Sequence, residues 1–239
     1  MELEEFSKEF KKLSEKISIN IEDEKIEKFY KYMLLIQEWN KKINLTAIIE
    51  PKEMIIKHFI DSLTIANQLK NDSKIIDVGT GAGFPGIPIK IYNDSLKITL
   101  LDSLNKRTIF LKEVIKELKL ENIEVIHGRA EECAQKEEYR EKYDYAVSRA
   151  VAPLNILLEY LVPYACVNGT VLAMKGSNAL EEINNAENAL KQLYCEIDNI
   201  EKKLLPEESG ERYIIKIVKK EKTLDIYPRK AGIPKKKPL

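Results

Sequence analysis

The glycine-rich stretch DVGTGAGFPGIP at residues 77–88 directly follows the apolar run at 74–76. Its alternating glycines are Gly79, Gly81 and Gly83. Glycine permits a tight turn with positive φ and lets a ligand come close to the main chain. Pro85 suits the first turn of a helix, where amide groups are unpaired and carry partial positive charge. A strand, a turn and a helix start in this order predict a ligand with an anionic group, either a dinucleotide or S-adenosyl-L-methionine.

Asp77 distinguishes these two ligands by charge. It is predicted to lie at the carboxyl end of the strand, two residues before the first glycine. Its carboxylate would repel a pyrophosphate, but it would attract the ammonium and sulfonium groups of S-adenosylmethionine. Asp-x-Gly-x-Gly-x-Gly is the form that methyltransferases use, although residues 81–86 also satisfy the dinucleotide pattern Gly-x-Gly-x-x-Gly. Methyl transfer is therefore favoured, and an NAD-binding oxidoreductase is the alternative.

Two further positions fit an adenosine. Asp102 ends the next predicted strand, where an acid accepts hydrogen bonds from both ribose hydroxyls. Ala130 and Glu131 follow the third predicted strand, and a main-chain amide with an acceptor beside it can recognise the edge of adenine. NAD and S-adenosylmethionine share the adenosine, so these residues support either ligand.

Cations occupy the predicted substrate side. Arg149 and Lys175 end the fourth and fifth predicted strands, where they would bind the cofactor carboxylate or an RNA phosphate. The segment 228–239 holds five Lys or Arg residues, three prolines and no acid. We expect it to stay extended and to contact phosphates. Its cations are Arg229, Lys230, Lys235, Lys236 and Lys237.

The overall composition narrows the class of protein. Lys and Arg together number 39, as do Asp and Glu, so net charge indicates no partner. The 3 separated cysteines and 2 histidines argue against disulfides, a metal site and a Ser-His-Asp triad. No apolar run reaches the roughly 20 residues of a membrane span. We expect a cytoplasmic monomer with no metal and no membrane contact.

The order of predicted elements indicates an α/β fold. Residues 1–70 read as helices, including an amphipathic pattern from 26 to 39. From about residue 73, short β-rich runs alternate with helical ones, which predicts a mostly parallel, doubly wound sheet. The predicted strands span 74–79, 97–102, 123–128, 143–149, 170–176, 195–205 and 211–220. The predicted helices after the first strand span 84–92, 106–118, 154–161 and 179–193.

This order predicts a Rossmann-like, class I S-adenosylmethionine-dependent methyltransferase fold. Its sheet is seven-stranded and mostly parallel, with a C-terminal antiparallel hairpin that a classical dinucleotide fold lacks. We expect an N-terminal helical extension over 1–70, a methyltransferase domain over 71–226 and a basic, proline-rich tail over 227–239.

The residue types at the site offer no convincing general base. The chain also lacks a Pro-Cys nucleophile and an Asn/Asp-Pro-Pro-Tyr motif, which disfavours methylation of cytosine C5 and of the exocyclic amine of adenine. Guanine N7 is unprotonated at pH 7 and needs no base, so orientation and proximity suffice. We therefore assign no acid or base, and Arg149 is the candidate catalytic residue.

Several motifs are spread along nearly the whole chain. They are Trp39-Asn40-x-x-Ile43-Asn44-Leu45-Thr46, His58-x-x-Asp61-Ser62-Leu63, the stretch at 77–88, Ser148-Arg149-Ala150 and the run from Tyr227 to Pro234. Together they resemble the bacterial ribosomal RNA small subunit methyltransferase G family. The resemblance implies methyl transfer from S-adenosylmethionine to N7 of a guanine in 16S ribosomal RNA. It also implies cofactor contacts at Gly79, Phe84, Asp102, Ser103, Leu104, Ala130, Glu131 and Arg149.

The sequence allows alternatives for the substrate, for the class of protein and for the role of one pair of polar residues. The substrate is either naked 16S ribosomal RNA or the assembled 30S subunit, and a non-catalytic RNA-binding protein with a vestigial cofactor pocket is a further alternative. His58 and Asp61 lie one turn apart on a predicted helix. We favour a local pair that closes the packing of the N-terminal helices over a role in substrate binding.

Overall fold

A seven-stranded sheet forms the centre of the molecule, and the computed structural model describes all residues from 1 to 239. The strands are β1 (Lys74–Val78), β2 (Lys97–Asp102), β3 (Ile123–His127), β4 (Tyr143–Arg149), β5 (Ala165–Lys175), β6 (Cys195–Leu204) and β7 (Glu211–Lys219). Their spatial order is β3-β2-β1-β4-β5-β7-β6. β1 to β5 are parallel, and β7 is antiparallel to β5 and β6. The predicted sheet with its C-terminal hairpin is confirmed.

The strand order reverses at β1, which lies between β2 and β4. In the middle of β1, Ile76 is paired with Thr99 on one side and with Ala146 on the other. The loops that leave the carboxyl ends of these strands diverge and open a crevice, which is where doubly wound folds bind ligands. The glycine-rich stretch, Asp102 and Arg149 all lie at this edge of the sheet.

Eleven α-helices surround the sheet. They are α1 (Leu3–Glu15), α2 (Asp23–Asn40), α3 (Pro51–Met54), α4 (Asp61–Leu63), α5 (Gly86–Tyr92), α6 (Asn105–Glu117), α7 (Ala130–Cys133), α8 (Leu154–Leu161), α9 (Ala179–Asn184), α10 (Glu187–Gln192) and α11 (Ile233–Lys236). A π-helical turn, Ile55–Ile60, joins α3 to α4, and a short 3₁₀ helix spans Ala66–Gln68. None of the helices combines the length and the apolar character needed to cross a lipid bilayer.

Three elements differ from the sequence prediction by more than one residue. The predicted helix over 179–193 is broken between α9 and α10, because Ala186 leaves helical geometry while staying fully buried. β5 begins at Ala165, five residues before the predicted start, since Ala165 already pairs with Tyr143 on β4. α5 begins at Gly86 rather than near Phe84.

The tail is not extended, which corrects the sequence prediction. Arg229 binds the fully buried Glu159 of α8, and Gln135 donates a 2.9 Å hydrogen bond to the carbonyl of Pro228. The last residues then form α11, and Pro234 is buried. The proline content and charge of the tail suggested a solvated chain. The buried carboxylate of Glu159, which is distant in sequence, instead gives Arg229 a specific partner.

A cluster of aromatic rings packs the N-terminal helices against the sheet. Its members are Phe6, Phe10, Phe29, Tyr32, Phe59 and Phe84. The ring centroids of Phe10 and Phe29 are 4.7 Å apart, and those of Tyr32 and Phe84 are 5.7 Å apart. The Tyr32 hydroxyl also donates to the carbonyl of Ala82 in the glycine-rich loop. The extension and the sheet therefore share one continuous hydrophobic core.

Phe59→Ala is expected to destabilise the whole chain by about 3–5 kcal/mol, because it removes a fully buried ring from the centre of this cluster. Urea unfolding, followed by circular dichroism and tryptophan fluorescence, measures the loss. Leu34→Ala is the control, since Leu34 is 44% exposed and its removal should cost about 0.5 kcal/mol or less. A separate early transition confined to the N-terminal helices would contradict the shared core.

Candidate cofactor and substrate site

The glycine-rich loop holds its shape through positive-φ backbone and through hydrogen bonds to β2, two of which reach one backbone carbonyl. The φ angles of Gly79, Gly81 and Gly83 are 72°, 63° and 101°, a region that L side chains rarely adopt. The amides of Gly79 and Thr80 donate to the carbonyl of Leu101 over 2.8 and 3.2 Å. Nothing lies within 4 Å of a Cβ built on Gly81. The loop thus exposes bare main chain at the crevice, as the glycine spacing predicted.

Asp77 lies beneath this loop and is fully buried. Its Oδ2 accepts hydrogen bonds from the Thr80 hydroxyl at 2.6 Å and from the Gly86 amide at 2.8 Å, while its Oδ1 is buried without a partner. Burial raises the pKa of Asp77 to about 6, although these hydrogen bonds and the charge of Arg149 oppose the rise. Asp77 therefore shapes the loop from below, and its contribution to cofactor binding stays a prediction, with its charge acting on a ligand across the loop.

Asp102 connects the end of β2 to the loop. Its Oδ2 accepts from the amide of Gly81 at 2.9 Å, and its Oδ1 accepts from the amide of Leu104 at 2.8 Å. The intervening Ser103 accepts a hydrogen bond at 3.1 Å from Nε2 of His127 through its carbonyl. Arg107 Nη1 also lies 3.5 Å from Oδ2. Since a carboxylate has about four lone-pair positions, Asp102 keeps capacity for about one hydroxyl donor beside these three partners. The segment 102–104 lies at the crevice edge, as predicted.

Ala130 and Glu131 form the first turn of α7. The Tyr164 hydroxyl donates to the carbonyl of Ala130 at 2.7 Å, while the amide of Ala130 stands at the helix start, where no intrahelical partner exists. Glu131 is buried, and its Oε1 accepts a 2.9 Å hydrogen bond from the amide of Gly232 in the tail. A main-chain donor and a carboxylate therefore stand side by side after β3.

Arg149 is the centre of a charged network. Its Nη1 is 3.0 Å from Oδ2 of Asp61, and the other oxygen, Oδ1, is 3.0 Å from Nε of Arg212 on β7. Nη1 also lies within hydrogen-bond distance of the carbonyl of His58. The guanidinium carbon is 4.9 Å from the ring centroid of Phe84. The predicted site residues Phe84 and Arg149 are thus in contact, and the side chain of Phe84 is buried between the loop and the N-terminal helices.

His58 and Asp61 do not form the local pair that the sequence suggested. Asp61 binds the two arginines, whereas His58 stacks on Phe84 at 4.4 Å and shares a 2.8 Å hydrogen bond with the Thr46 hydroxyl. Burial, and then the nearby Arg149 charge, lower the pKa of His58 to about 3. His58 is therefore neutral at physiological pH.

Two cations predicted to meet RNA are engaged in internal ion pairs. Lys175 is buried, lies 2.7 Å from a carboxylate oxygen of Glu182 and donates to the carbonyl of Ala152. Arg229 forms a 2.6 Å ion pair with Glu159. These contacts correct the expectation that both side chains are available for phosphates. The exposed tail cations without an ion pair are Lys230, Lys235, Lys236 and Lys237.

A cleft of about 560 Å³ opens beside Arg149, at the carboxyl ends of β4 and β5. Its charged lining comprises Lys57, Asp61, Arg149, Lys175, Glu182 and Arg212. Val151 also lines it and lies against Gly79, since a Cβ on that glycine would be 2.6 Å from Cγ2 of Val151. The cleft therefore adjoins the glycine-rich loop, with cations and carboxylates placed to contact a polar group.

Sequence reasoning missed Arg212 and Thr46 as members of this network. Arg212 is separated from Asp61 by 151 positions, and only the placement of β7 next to β5 brings them together. Thr46 belongs to a motif quoted above, but nothing in its local pattern indicated a contact with His58.

The site fits S-adenosylmethionine on two structural observations. The buried and unpartnered Oδ1 of Asp77 leaves uncompensated negative character under the loop, which suits a cationic ligand. The open main chain at Gly81 lies beside Asp102, and the first turn of α7 offers a donor and an acceptor for adenine.

Asp61→Asn is expected to reduce the free energy of unfolding by about 3 kcal/mol, because it leaves two neighbouring guanidinium groups without their shared counter-charge. Chemical denaturation measures the change. The matched control is Asp23→Asn, which removes an exposed ion pair with Lys11 and should cost about 1 kcal/mol or less. Equal losses in the two variants would show that the Asp61 network adds nothing beyond a surface pair.

Solved structures support the fold alone. An S-adenosylmethionine-dependent methyltransferase from Aquifex aeolicus aligns with a TM-score of 0.55 at 16% identity, over 76% of this chain and 98% of that one. TYW2 from M. jannaschii, solved in complex with AdoMet, aligns with a TM-score of 0.52 at 15% identity, over 66% and 73% of the two chains. The sheet is therefore one that methyltransferases use.

Sequence relatives are much closer. The chain is 47% identical over 241 residues to the ribosomal RNA small subunit methyltransferase G of Alkaliphilus oremlandii, covering 100% of both. It is 52% identical over 213 residues to that of Desulforamulus reducens, covering 88% of this chain and 89% of the relative. The family model described as rRNA small subunit methyltransferase G matches residues 25–212. With this coverage and this site, the chain belongs to the ribosomal RNA small subunit methyltransferase G family.

Proposed function

We propose that this chain transfers a methyl group from S-adenosylmethionine to N7 of one guanine in 16S ribosomal RNA. Family membership makes it a ribosomal RNA methyltransferase that depends on S-adenosylmethionine. The target atom and the residues that act on it are the finer part of the proposal. The observation that carries this part is the charged cleft, which directly adjoins the glycine-rich loop.

The chemistry asks this chain to orient two reactants rather than to move a proton. S-adenosylmethionine supplies an electrophilic methyl group, and guanine N7 supplies a lone pair at neutral pH. His58, with a pKa of about 3, is neutral and is held in stacking against Phe84, so it serves packing and not proton transfer. Arg149, fixed by Asp61, gives the cleft a rigid wall, and such fixed geometry is what proximity catalysis needs.

The cleft suits a guanine that has been turned out of an RNA strand. A guanine carries the acceptors O6 and N7 on one edge and N–H donors on another. Arg212 can donate to the acceptors, and Glu182 can accept from the donors. RNA-binding proteins read single-stranded bases on such edges.

The partner is 16S ribosomal RNA, either naked or within the 30S subunit, and we propose that the chain acts on it as a cytoplasmic monomer. The lysines of the tail support this proposal, because they are exposed and such cations attract phosphates. Their attraction to RNA weakens with salt, because binding releases counterions from the phosphates.

Two other functions make different demands on the chain. An NAD-binding oxidoreductase requires NADH to bind, and a non-catalytic RNA-binding protein requires that no methyl group is transferred. Isothermal titration with NADH and with S-adenosylmethionine distinguishes the oxidoreductase from a methyltransferase. Binding of NADH alone would refute the proposal.

Incubation with radiolabelled S-adenosylmethionine and unmodified 16S RNA, naked or in 30S subunits, is expected to place label on a single guanine N7. Chemical cleavage at 7-methylguanine maps the position. Arg149→Ala should lower kcat/KM at least about tenfold, because the cleft loses the cation that Asp61 orients. Lys28→Ala, an exposed surface change, is the control. Absence of label on either substrate would refute the proposed activity.

The affinity for S-adenosylmethionine is expected to rise with pH between about 5 and 7, by up to about tenfold. The pKa of Asp77 is about 6 in the ligand-free protein, so the carboxyl is largely protonated below that pH. A cationic ligand favours the ionised form, which therefore contributes to binding above pH 6 and is lost as pH falls. Titration calorimetry at pH 5, 6 and 7 measures the affinity. In Asp77→Asn, the affinity should change much less with pH. An unchanged slope in that variant would assign the effect to another group.

A further inference from the structure

The C-terminal tail is fixed to the methyltransferase domain at a buried point. Glu159 on α8 is fully buried and accepts hydrogen bonds from the amide, Nε and Nη2 of Arg229 at distances of 2.6 to 3.1 Å. Arg140 reinforces the approach by donating to the carbonyl of Tyr227 at 2.9 Å. A buried carboxylate with a bidentate arginine is a rigid anchor. The residues that follow Arg229 therefore have a defined path.

That path leads to the adenosine side of the crevice. Gly232 has a φ of 83°, which turns its amide toward α7, and the amide donates to Oε1 of Glu131 at 2.9 Å. Glu131 follows Ala130 at the start of α7 and is buried. Only Oε1 of this carboxylate is hydrogen-bonded, so Oε2 retains its acceptor capacity. The tail thus determines how one proposed cofactor residue is oriented.

We propose that the segment 232–239 is a positioning element of the cofactor site, through the Gly232 amide and Glu131. The inference rests on the proposed function, since Glu131 is proposed to meet the adenine of S-adenosylmethionine. With Oε1 held by the tail, Oε2 accepts a hydrogen bond from the exocyclic amine of adenine, beside the free amide of Ala130. Gly232 is a positioning residue, because it acts through Glu131 and does not touch the reacting atoms.

This role is separable from RNA binding. The lysines at 235, 236 and 237 belong to the same segment, are exposed and have no ion pair. They can meet phosphates without altering the Gly232 contact. The tail therefore carries two functions on different groups: a backbone amide for the cofactor and ammonium groups for RNA.

Titration calorimetry with S-adenosylmethionine tests the proposal on full-length variants. Gly232→Pro removes the amide hydrogen and, because proline cannot adopt a φ of 83°, also moves the segment away from Glu131. It should weaken cofactor affinity about tenfold, the effect of losing a hydrogen bond to a charged group. Replacement of Lys235, Lys236 and Lys237 by Ala should leave that affinity within about twofold but weaken binding of 16S RNA. Arg229→Ala releases the segment at its anchor and should reproduce the cofactor defect. Thermal unfolding of each variant verifies that it is folded.

A double-mutant cycle with Glu131→Ala distinguishes positioning from general damage. In that background, Gly232→Pro should add less than about a twofold further loss, because the two residues act as one unit. An equal further loss, or a wild-type affinity in Gly232→Pro alone, would overturn the inference while leaving the proposed function intact. Failure of the unaltered chain to bind S-adenosylmethionine would overturn both.

Discussion

The guanidinium group of Arg149 is the point at which three parts of the molecule meet. The residue itself ends β4. Its counter-ion Asp61 belongs to the N-terminal helices, and Arg212, which shares that counter-ion, lies on β7. Its side chain is only 12% exposed, so it needs a carboxylate and carbonyl oxygens to replace water. The N-terminal extension supplies these acceptors. The wall of the cleft therefore exists only while the extension is docked, and the ion pair in turn keeps it docked.

The same docking stabilises the glycine-rich loop from two sides. Tyr32 of the extension donates to the loop carbonyl of Ala82, and Phe84 packs against His58 and Tyr32. From beneath, Asp77 binds the loop through Thr80. A loop of alternating glycines loses much conformational entropy when it becomes ordered, and these contacts offset that loss. The loop is thereby shaped before any ligand arrives.

Features that depend on the burial of a single strand or on the backbone angle of a single residue were predictable from the sequence. Parallel strands buried on both faces read as apolar runs, which revealed β1, β2, β4 and the second half of β5. Positive φ leaves few alternatives to Gly79, Gly81 and Gly83. The partners of charged residues were not predictable, because they depend on strand order and helix packing across 70 to 151 positions. Arg229 therefore looked free in the sequence and is paired with Glu159 in the structure. Lys175 looked free for another reason: its partner Glu182 is near in sequence, but the turn between β5 and α9 that brings the two together has no pattern that indicates an ion pair.

This pairing explains how a cation-rich site can serve a cationic methyl donor. Unpaired, the arginines and lysines lining the cleft would repel a sulfonium group, and binding of the donor would weaken. Asp61 neutralises part of the arginine charge and Glu182 that of Lys175, so the charge near the loop is reduced while the donor groups stay available to a base. In the proposed function, the exposed lysines of the tail supply the attraction that RNA needs instead. A division between neutralised cations at the cleft and free cations at the periphery lets one protein hold two ligands of opposite charge.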